Sequence, residues 1–466
     1  MGHLFFITRV AFLKLQQSLL SSVLAVLVLC AGVSVFFVVL TVLDAASKNP
    51  FSDKDERLYS LRLSAWQPDS FGGLGRASSQ QKSMLYEHAP VPKQLIWRDA
   101  LAIFNNNSVW PMSISYLTGA KISREGQTTP PFLVTSRAVT GRFFSMFEVP
   151  LLYGASWEER FDRPIAGSML QDRDTIYPII LSNRLSQQLF KLSNSVGKQL
   201  NFSGRRFEVV GVIDEWAPAP KVHDLEAGVF GPADQSFIPF YLAVALELDR
   251  WGGVESRPSF PVFSSFDQGL VSDLAWIQFW LELDGKQEKE VFEQWLQGYI
   301  DSERKAGRFT YQANFYLDKP SELLVLHSVV GSDLKMMLVV ALIFLIICIL
   351  NFSLIVYSRF SRASSSLGVQ LSLGASRSNL FIQQCAEVFL LSTLALCFSA
   401  FSTHVLLFVF EGLHASTLSH RLPIKEALFY FFVVLIFIVF CASLLPSIKI
   451  MSATASSLLK KEGRYA

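Results

Sequence analysis

The sequence predicts a membrane α-helical protein with four transmembrane helices and a large extracytoplasmic α+β domain of two modules. Its 466 residues are 51% hydrophobic and only 17% charged, whereas soluble domains carry about 25% charged residues. The apolar residues also concentrate in four stretches, each long enough to cross a bilayer, which takes about 20 residues. The long segment between the first two stretches alternates strand-like and helix-like patterns, which indicates a folded domain outside the membrane.

The four apolar stretches set the bounds of the predicted transmembrane helices. A signal peptide has an apolar core of about 7–15 residues. The first stretch is too long for one, so we expect it to be retained. The predicted transmembrane helices cover residues 18–43, 336–357, 380–410 and 427–445.

The distribution of lysine and arginine predicts the orientation, because cytoplasmic segments are enriched in both. Both termini are therefore predicted to be cytoplasmic, as an amphipathic helix over 1–17 and a tail over 446–466, and so is the loop 358–379. The domain over 44–332 and the short loop 411–426 are predicted to lie outside. The basic residues that decide this are Arg9, Lys14, Arg359, Arg362, Arg377, Lys449, Lys460, Lys461 and Arg464.

The second half of the outer domain has a strand, helix, strand pattern. Apolar residues alternate over 276–283, which is typical of a half-buried strand. They recur at helical spacing over 286–304 and alternate again over 309–317. The sequence therefore predicts a β-α-β unit directly before the second transmembrane helix.

The first half of the domain repeats the same order. A strand is predicted over 57–63, a helix over 93–103 and a second strand over 109–117. The two halves are expected to pack into one α/β layer although they are far apart in the sequence.

A second, distal module is predicted as an insertion over about 131–245. A helix over 182–192 begins at Ser182, a favourable N-cap residue. A hairpin turning at 203–205 joins strands over 198–202 and 206–213. The stretch 217–274 is rich in Pro, Gly, Ser and Asp, and much of it is predicted to be loop.

Motifs for catalysis, metals and cofactors are missing from the sequence. It contains no G-x-x-x-x-G-K-[ST], G-x-S-x-G, H-E-x-x-H or C-x-x-C. All five cysteines fall within the predicted transmembrane helices, so the outer domain has no disulfide framework. A formal net charge of +2 gives no basic surface for nucleic acid. We therefore predict no catalytic residue, no metal site and no cofactor held by this chain.

The segment 364–391 carries the most specific pattern. A short helix is followed by the turn Leu373, Gly374, Ala375, Ser376 and Arg377, and then by a long membrane helix with an early acid, Glu387. Here the sequence resembles the FtsX-like permease family. The resemblance implies that residues 369–378 are a coupling helix that docks on a cytoplasmic ABC ATPase.

The outer domain carries a second resemblance, to the periplasmic core domain of MacB-like permeases. MacB-like proteins usually carry a fused ATPase domain. Because this sequence has no P-loop, the resemblance implies that a separate chain binds ATP and Mg. It also implies a bacterial inner-membrane location and the following partners: a second permease copy or paralogue in a dimer, a periplasmic adaptor, an outer-membrane channel and membrane lipids. The matching segments are 49–51, 55–58, 140–144, 149–154, 180–182, 196–198 and 207–212.

Several polar and small residues in the membrane segments have two interpretations. Arg377 either pairs with the ATPase or only fixes the orientation. Glu387 is either a functional acid or an interfacial carboxylate bonded to a neighbouring helix, and His404 is predicted to be a neutral bundle residue rather than a proton relay. Small residues let membrane helices approach closely, so one face of the third helix packs within the chain or forms a dimer seam. That face consists of Ser392, Ala395, Ser399 and Ser402.

The resemblance favours a mechanical transporter that exports a peptide or small molecule. Extraction of lipoproteins or lipids from the membrane, and signalling to a periplasmic partner, are the alternatives. Export is favoured because residues 321–331 are predicted to continue a helix into the second membrane helix. Such a stalk would lift the outer domain about 15 Å, since a helix rises about 1.5 Å per residue. The adaptor is predicted to bind near 140–213.

Overall fold

The structure, a computed structural model, describes residues 18–63, 91–106, 109–126, 130–165, 167, 170, 175–255, 265–309, 313–414 and 424–452. The chain divides into two compact units. The membrane unit contains residues 1–46, 330–413 and 420–466, and the outer unit contains residues 47–329 with 414–419. The predicted amphipathic helix over 1–17 lies outside the described residues.

Helices and strands alternate along the described chain. In chain order the helices are α1 (Leu19–Ser47), α2 (Trp97–Asn105), α3 (Arg142–Met146), α4 (Asn183–Phe190), α5 (Phe240–Ala245), α6 (Phe266–Leu270), α7 (Gly285–Lys305), α8 (Pro320–Leu326), α9 (Ser332–Arg362), α10 (Ser364–Ser372), α11 (Arg377–His414) and α12 (Ile424–Ser452). The strands are β1 (Leu58–Leu63), β2 (Leu95–Ile96), β3 (Met112–Arg124), β4 (Phe132–Val139), β5 (Leu151–Gly154), β6 (Tyr177–Ser182), β7 (Gln199–Phe202), β8 (Arg205–Ile213), β9 (Ser236–Pro239), β10 (Ala275–Glu282) and β11 (Phe315–Asp318).

The membrane unit is a bundle of long apolar helices. Within the described chain, three helical segments are long and apolar enough to cross a membrane: Leu19–Lys54, Ser332–Arg362 and Arg377–Phe410. The apolar stretch of α12, Phe429–Leu444, is shorter. Side chains from α1, α9, α11 and α12 share one apolar core, which explains why four helices of such uniform hydrophobicity pack together.

The outer unit is built on one mixed sheet with the strand order β11-β1-β10-β3-β4-β9-β6-β8-β5. Strand β1 lies between β10 and β11 and is antiparallel to both. The first and last strands of the domain therefore share a layer, which confirms that its two halves pack together. This arrangement brings the chain segment after α1 beside the segment before α8.

The sheet also closes on itself. Strand β7 pairs with the end of β3 and with β8, so β3, β4, β9, β6, β8 and β7 form a ring of paired strands. The 13 residues of β3 run from the first layer into this ring. Because strands β4 to β9 belong to the same sheet as β1, β3 and β10, the predicted two-module layout is not confirmed.

Local sequence signals are confirmed where they depend on neighbouring residues. The Ser182 hydroxyl accepts a hydrogen bond from the Leu185 amide and caps α4. Strands β7 and β8 are joined by a two-residue turn, Ser203 and Gly204, both with positive φ. Positive φ angles at both central residues are typical of tight two-residue hairpin turns.

Two predictions about the outer domain are wrong in extent. Strand β10 is buried on both faces rather than one, since seven of its eight residues are buried. The prediction for 217–274 agrees with its described part, in which loops connect a 3-10 helix over Val222–Ala227, strand β9 and helices α5 and α6. Strand β11 covers Phe315–Asp318 only.

The predicted stalk over 321–331 is also wrong. Helix α8 ends at Leu326, and Ser328 adopts a left-handed φ of 49°. The Ser328 amide bonds to the Val325 carbonyl (2.9 Å) and the Val329 amide to the Leu324 carbonyl (3.0 Å), which closes the helix end. Helix α9 starts anew at Ser332, so the segment is not a continuous helix.

Candidate coupling site

The predicted coupling element is a helix, a turn and the start of a second helix. Helix α10 ends at Ser372, and Gly374 follows with a left-handed φ of 93°. The Gly374 amide bonds to the Leu371 carbonyl (3.1 Å) and the Ala375 amide to the Gln370 carbonyl (2.9 Å). This pattern satisfies the last carbonyls of the helix and favours glycine at the left-handed position. The predicted glycine cap is confirmed.

The chain re-enters a helix directly after the turn. The Ser376 hydroxyl accepts a hydrogen bond from the Asn379 amide (3.2 Å), which caps the first turn of α11. Residues 369–378 are therefore not one coupling helix: they comprise the end of α10, the turn, and the first two residues of α11. Both helix ends are capped, so the five residues 373–377 form a defined turn.

The turn projects an apolar side chain away from the bundle. Leu373 is 83% exposed, and Ser376 and Arg377 are exposed beside it. Helix α10 is held from beneath by a small apolar cluster, in which Leu371 packs against Phe360 of α9 and Leu380 of α11. The turn is thus anchored on one side and open on the other.

Glu387 lies deeper in α11 and is paired with an arginine of α9. The Arg359 Nη2 and Nε atoms lie 2.7 and 3.1 Å from the Glu387 Oε1. Nη1 of Arg359 donates to the hydroxyls of Ser21 (3.3 Å) and Ser22 of α1. Both charged side chains are largely buried, 9% and 11% exposed. The structure therefore favours the interpretation of Glu387 as a carboxylate bonded to a neighbouring helix.

The small-residue face of α11 packs inside the membrane unit. Ser392, Ala395 and Ser399 are fully buried and Ser402 is half-buried. The Ser34 hydroxyl of α1 donates to the Ser399 carbonyl (3.4 Å). Of the two interpretations, packing within the chain is the one that fits. His404 lies on the exposed side of α11 and not inside the bundle, which differs from the prediction.

The outer unit contains a buried charge cluster that the sequence analysis missed. Arg137 of β4 is fully buried, with Nη1 2.9 Å from the Asp224 Oδ2 and Nε 2.5 Å from the Asp234 Oδ2. The Lys221 Nζ lies 2.7 Å from the Asp234 Oδ1, and the Gln278 Nε2 donates to Asp224 (3.0 Å). The cluster fixes the segment 221–234 to strands β4 and β10.

Charge pairing decides the protonation state of this cluster. Burial alone raises the pKa of Asp234, but Arg137 and Lys221 outweigh it and hold that pKa well below its ordinary value. Burial lowers the pKa of the adjacent His223 to about 4, so its imidazole is neutral near pH 7. Two cations face two carboxylates in this cluster, so loss of one partner would leave a buried charge uncompensated. Within the described residues no group of His, Cys, Asp and Glu fits a metal ion.

A second acidic group lies beside the end of α8. The Glu226 Oε1 lies 2.8 Å from the Lys93 Nζ and 3.3 Å from the His327 Nδ1. Glu255 accepts a hydrogen bond from the Lys93 amide (2.5 Å). Burial, with Glu226 nearby, raises the pKa of Glu255 to about 7. These contacts tie the chain before α9 to the loop at 91–94 and to the 3-10 helix Val222–Ala227.

Several solved structures are similar to this chain. It is similar to the periplasmic region of MacB from Actinobacillus actinomycetemcomitans (11% identity, 59% of this chain, 94% of that chain, TM-score 0.32). It is also similar to a domain of a permease protein from Porphyromonas gingivalis (14% identity, 57% of this chain, 90% of that chain, TM-score 0.33). A third similar structure is the extracellular domain of the noncanonic ABC-type transporter YknZ from Gram-positive bacteria (11% identity, 50% of this chain, 87% of that chain, TM-score 0.27). No protein with a curated description matches the chain.

The fold and the apolar helices define a membrane protein with a large extracytoplasmic domain. The sequence profile of the MacB-like periplasmic core domain matches residues 22–268, more than half of the 466 residues. The chain therefore belongs to the MacB-like family of ABC transporter permeases, as the sequence analysis predicted. Members of this family associate with an ABC ATPase and a partner permease.

Proposed function

We propose that the chain is the membrane subunit of a mechanotransmission ABC transporter. A separate ATPase hydrolyses ATP with Mg on the cytoplasmic side, and this chain holds no cofactor of its own. Closure of the ATPase displaces the turn at 373–377, and the membrane helices transmit that displacement to the periplasmic domain. The domain movement drives export of a peptide or small molecule, with a periplasmic adaptor and an outer-membrane channel.

The proposal includes four transmembrane helices with both termini in the cytoplasm of a bacterium. Helices α1, α9 and α11 have the length and apolarity for this role, and α12 joins their apolar core. The basic residues at 359, 362 and 377 flank the loop that carries the turn, in agreement with the enrichment of lysine and arginine on the cytoplasmic side. The two-unit division leaves residues 47–329 as the periplasmic domain.

The observation that carries ATPase coupling is the exposed leucine at a rigid turn. Leu373 is 83% exposed, and its side chain offers an apolar contact to a partner surface. Gly374 and Ser376 cap the helices on either side, so the leucine is presented without a flexible loop. Arg377 beside it supplies a charge for an acidic partner surface.

Capture of the ATPase tests this proposal. The chain carrying Leu373→Glu, and separately Arg377→Glu, should insert in the membrane and lose the ATPase that copurifies with the wild-type chain. Leu192→Glu is the matched control, because Leu192 is a 46% exposed leucine in a turn of the outer unit. Retention of the ATPase by both 373 and 377 variants would exclude the turn as the docking site.

Extraction of a lipid or lipoprotein is the second candidate, and one observation favours it. An apolar groove of about 560 Å³ lies between α1 and α11, lined by Val23, Leu27, Leu394 and Phe398 among others. The groove is large enough for acyl-chain segments, and the break after α8 removes the stalk that favoured export. Photo-crosslinkers at Lys191 and at Leu394 separate the two candidates. Capture of an adaptor at 191 supports export, and capture of lipoprotein or lipid at 394 supports extraction.

A further inference from the structure

We infer that Arg359 is the joint that transmits movement of the coupling turn to α1, an inference that rests on the proposed function. The guanidinium lies between two helices. On one side it pairs with Glu387 of α11, and on the other it bonds to Ser21 and Ser22 in the first turn of α1. The described structure thus connects three helices of the membrane unit through one side chain.

The chemistry of the guanidinium suits a fixed joint. Its donors form a rigid planar fork, and here Nε and Nη2 bond to one carboxylate oxygen while Nη1 bonds to the serines. Arg359 is 9% exposed and Glu387 11% exposed. Breaking such a pair leaves a buried charge uncompensated, which is costly. The α9, α11 and α1 ends are therefore expected to move together rather than slide.

The coupling turn connects to this joint through apolar contacts. Leu371 of α10 packs against Phe360, the residue next to Arg359, and against Leu380. Leu380 and Glu387 are seven residues apart, so they share one face of α11 at about 10 Å spacing. A displacement of α10 by a docked ATPase must shift the Phe360 and Leu380 contacts. Phe360 adjoins Arg359 in α9, and Leu380 shares a face of α11 with Glu387.

Helix α1 carries the displacement further. It runs unbroken from Leu19 to Ser47, 29 residues without proline, which corresponds to about 44 Å. Gly32 lets α1 approach α9 closely, since a Cβ there would lie 2.6 Å from the Cys348 Cβ. The chain then leads directly to strand β1 of the outer unit. Helix α1, held at its first turn by Arg359, is therefore a second route from the coupling turn to the outer sheet, beside the chain itself, which runs from β11 through α8 into α9.

The main test uses the full chain in nanodiscs with its ATPase. All nine tryptophans of the chain lie within residues 66–295, so tryptophan fluorescence reports on the outer domain when the ATPase and the scaffold protein are tryptophan-free variants. Arg359→Gln should bind the ATPase and hydrolyse ATP as the wild type does, while the ATP-dependent fluorescence change falls at least about five-fold. Exchange of the pair, Arg359→Glu with Glu387→Arg, keeps an α9–α11 ion pair but removes the guanidinium contacts to Ser21 and Ser22, so the fluorescence change should stay low. Arg362→Gln, an exposed arginine one turn later on α9, should match the wild type.

One further variant keeps the inference testable if Arg359→Gln fails to fold. Ser21→Ala with Ser22→Ala removes only the contacts to α1 and leaves the ion pair, and it should also uncouple hydrolysis from the fluorescence change. A full response in the serine variant, or in Arg359→Gln, overturns the inference.

A measurement without the ATPase separates this inference from the proposed function. A spin label at position 20, where Leu20 is 86% exposed at the start of α1, should change mobility when the turn is altered by Gly374→Val. In Arg359→Gln the same alteration should leave the label unchanged. An equal response with and without Arg359 overturns the joint. Failure of the wild-type chain to bind any ATPase would instead overturn the proposed function.

Discussion

Two glycines in this chain allow the importance of the coupling turn to be measured against a matched control. Gly374 follows α10 with a φ of 93°, and Gly307 follows α7 with a φ of 89°. Both close a helix end with the same two hydrogen bonds, and a Cβ added at either would meet no atom within 4 Å. Valine at either site therefore adds backbone strain and no steric clash.

The expected cost follows from that comparison. A left-handed conformation costs an L-residue about 1–2 kcal/mol, and β-branched residues such as valine adopt it very rarely. A cost of this size changes a conformational ratio by roughly 5–30-fold. If the ATPase binds only the native turn, Gly374→Val should weaken its affinity by roughly the same factor. Gly307→Val should destabilise the outer domain and leave that affinity unchanged.

The assay is a titration of the ATPase against each variant in nanodiscs, with unfolding of the outer domain followed by tryptophan fluorescence. Wild-type affinity in Gly374→Val would refute the role of the turn. Equal loss of affinity in both variants would also refute it, because strain outside the docking surface would then have the same effect.

Three further predictions concern topology and stability. Cysteines at Ser193 and Ser378, both exposed, should be labelled from opposite sides of the membrane by an impermeant thiol reagent in a cysteine-free chain, and labelling of both from outside would contradict the topology. Arg137→Met should lower the free energy of unfolding of the outer domain by about 3–5 kcal/mol, because two buried carboxylates lose their partner, whereas the exposed Arg184→Met should not. The pKa of Glu255 is raised from 4.5 to about 7. Its contribution to the free energy of unfolding is therefore present below pH 4.5 and lost as pH rises through about 7. In Glu255→Gln the denaturation midpoint should therefore fall less between pH 5 and 8 than in the wild type. Parallel pH profiles of the two midpoints would contradict this prediction.

The features predicted correctly from sequence depend on near neighbours. Gly374 marks a helix end because few other residues tolerate its φ, and Ser182 marks a helix start because its hydroxyl bonds to the Leu185 amide. The turn at Ser203 and Gly204 follows the same principle. Family resemblance added what these local rules lack, namely the identity of the outer domain and of the coupling segment.

The features that were missed depend on distant residues or on atypical ones. Arg137 meets Asp224 and Asp234 about ninety residues further on, and no local pattern indicates which buried charges will pair. The helix break after α8 occurs at Ser328, a residue that rarely adopts a left-handed φ. In the sequence Arg359 indicates orientation, and a basic residue near a helix end with an acid in the next helix also indicates a pair.

The central claim is that ATP hydrolysis by a separate ATPase moves the outer domain through the coupling turn. The most direct measurement is the distance between spin labels at position 193 on the two permease chains of the reconstituted complex, with and without ATP. The account predicts an ATP-dependent change in that distance in the wild-type complex, which turns over ATP. The same measurement on Gly374→Val should show no change. An unchanged distance in a wild-type complex that turns over ATP would contradict the account.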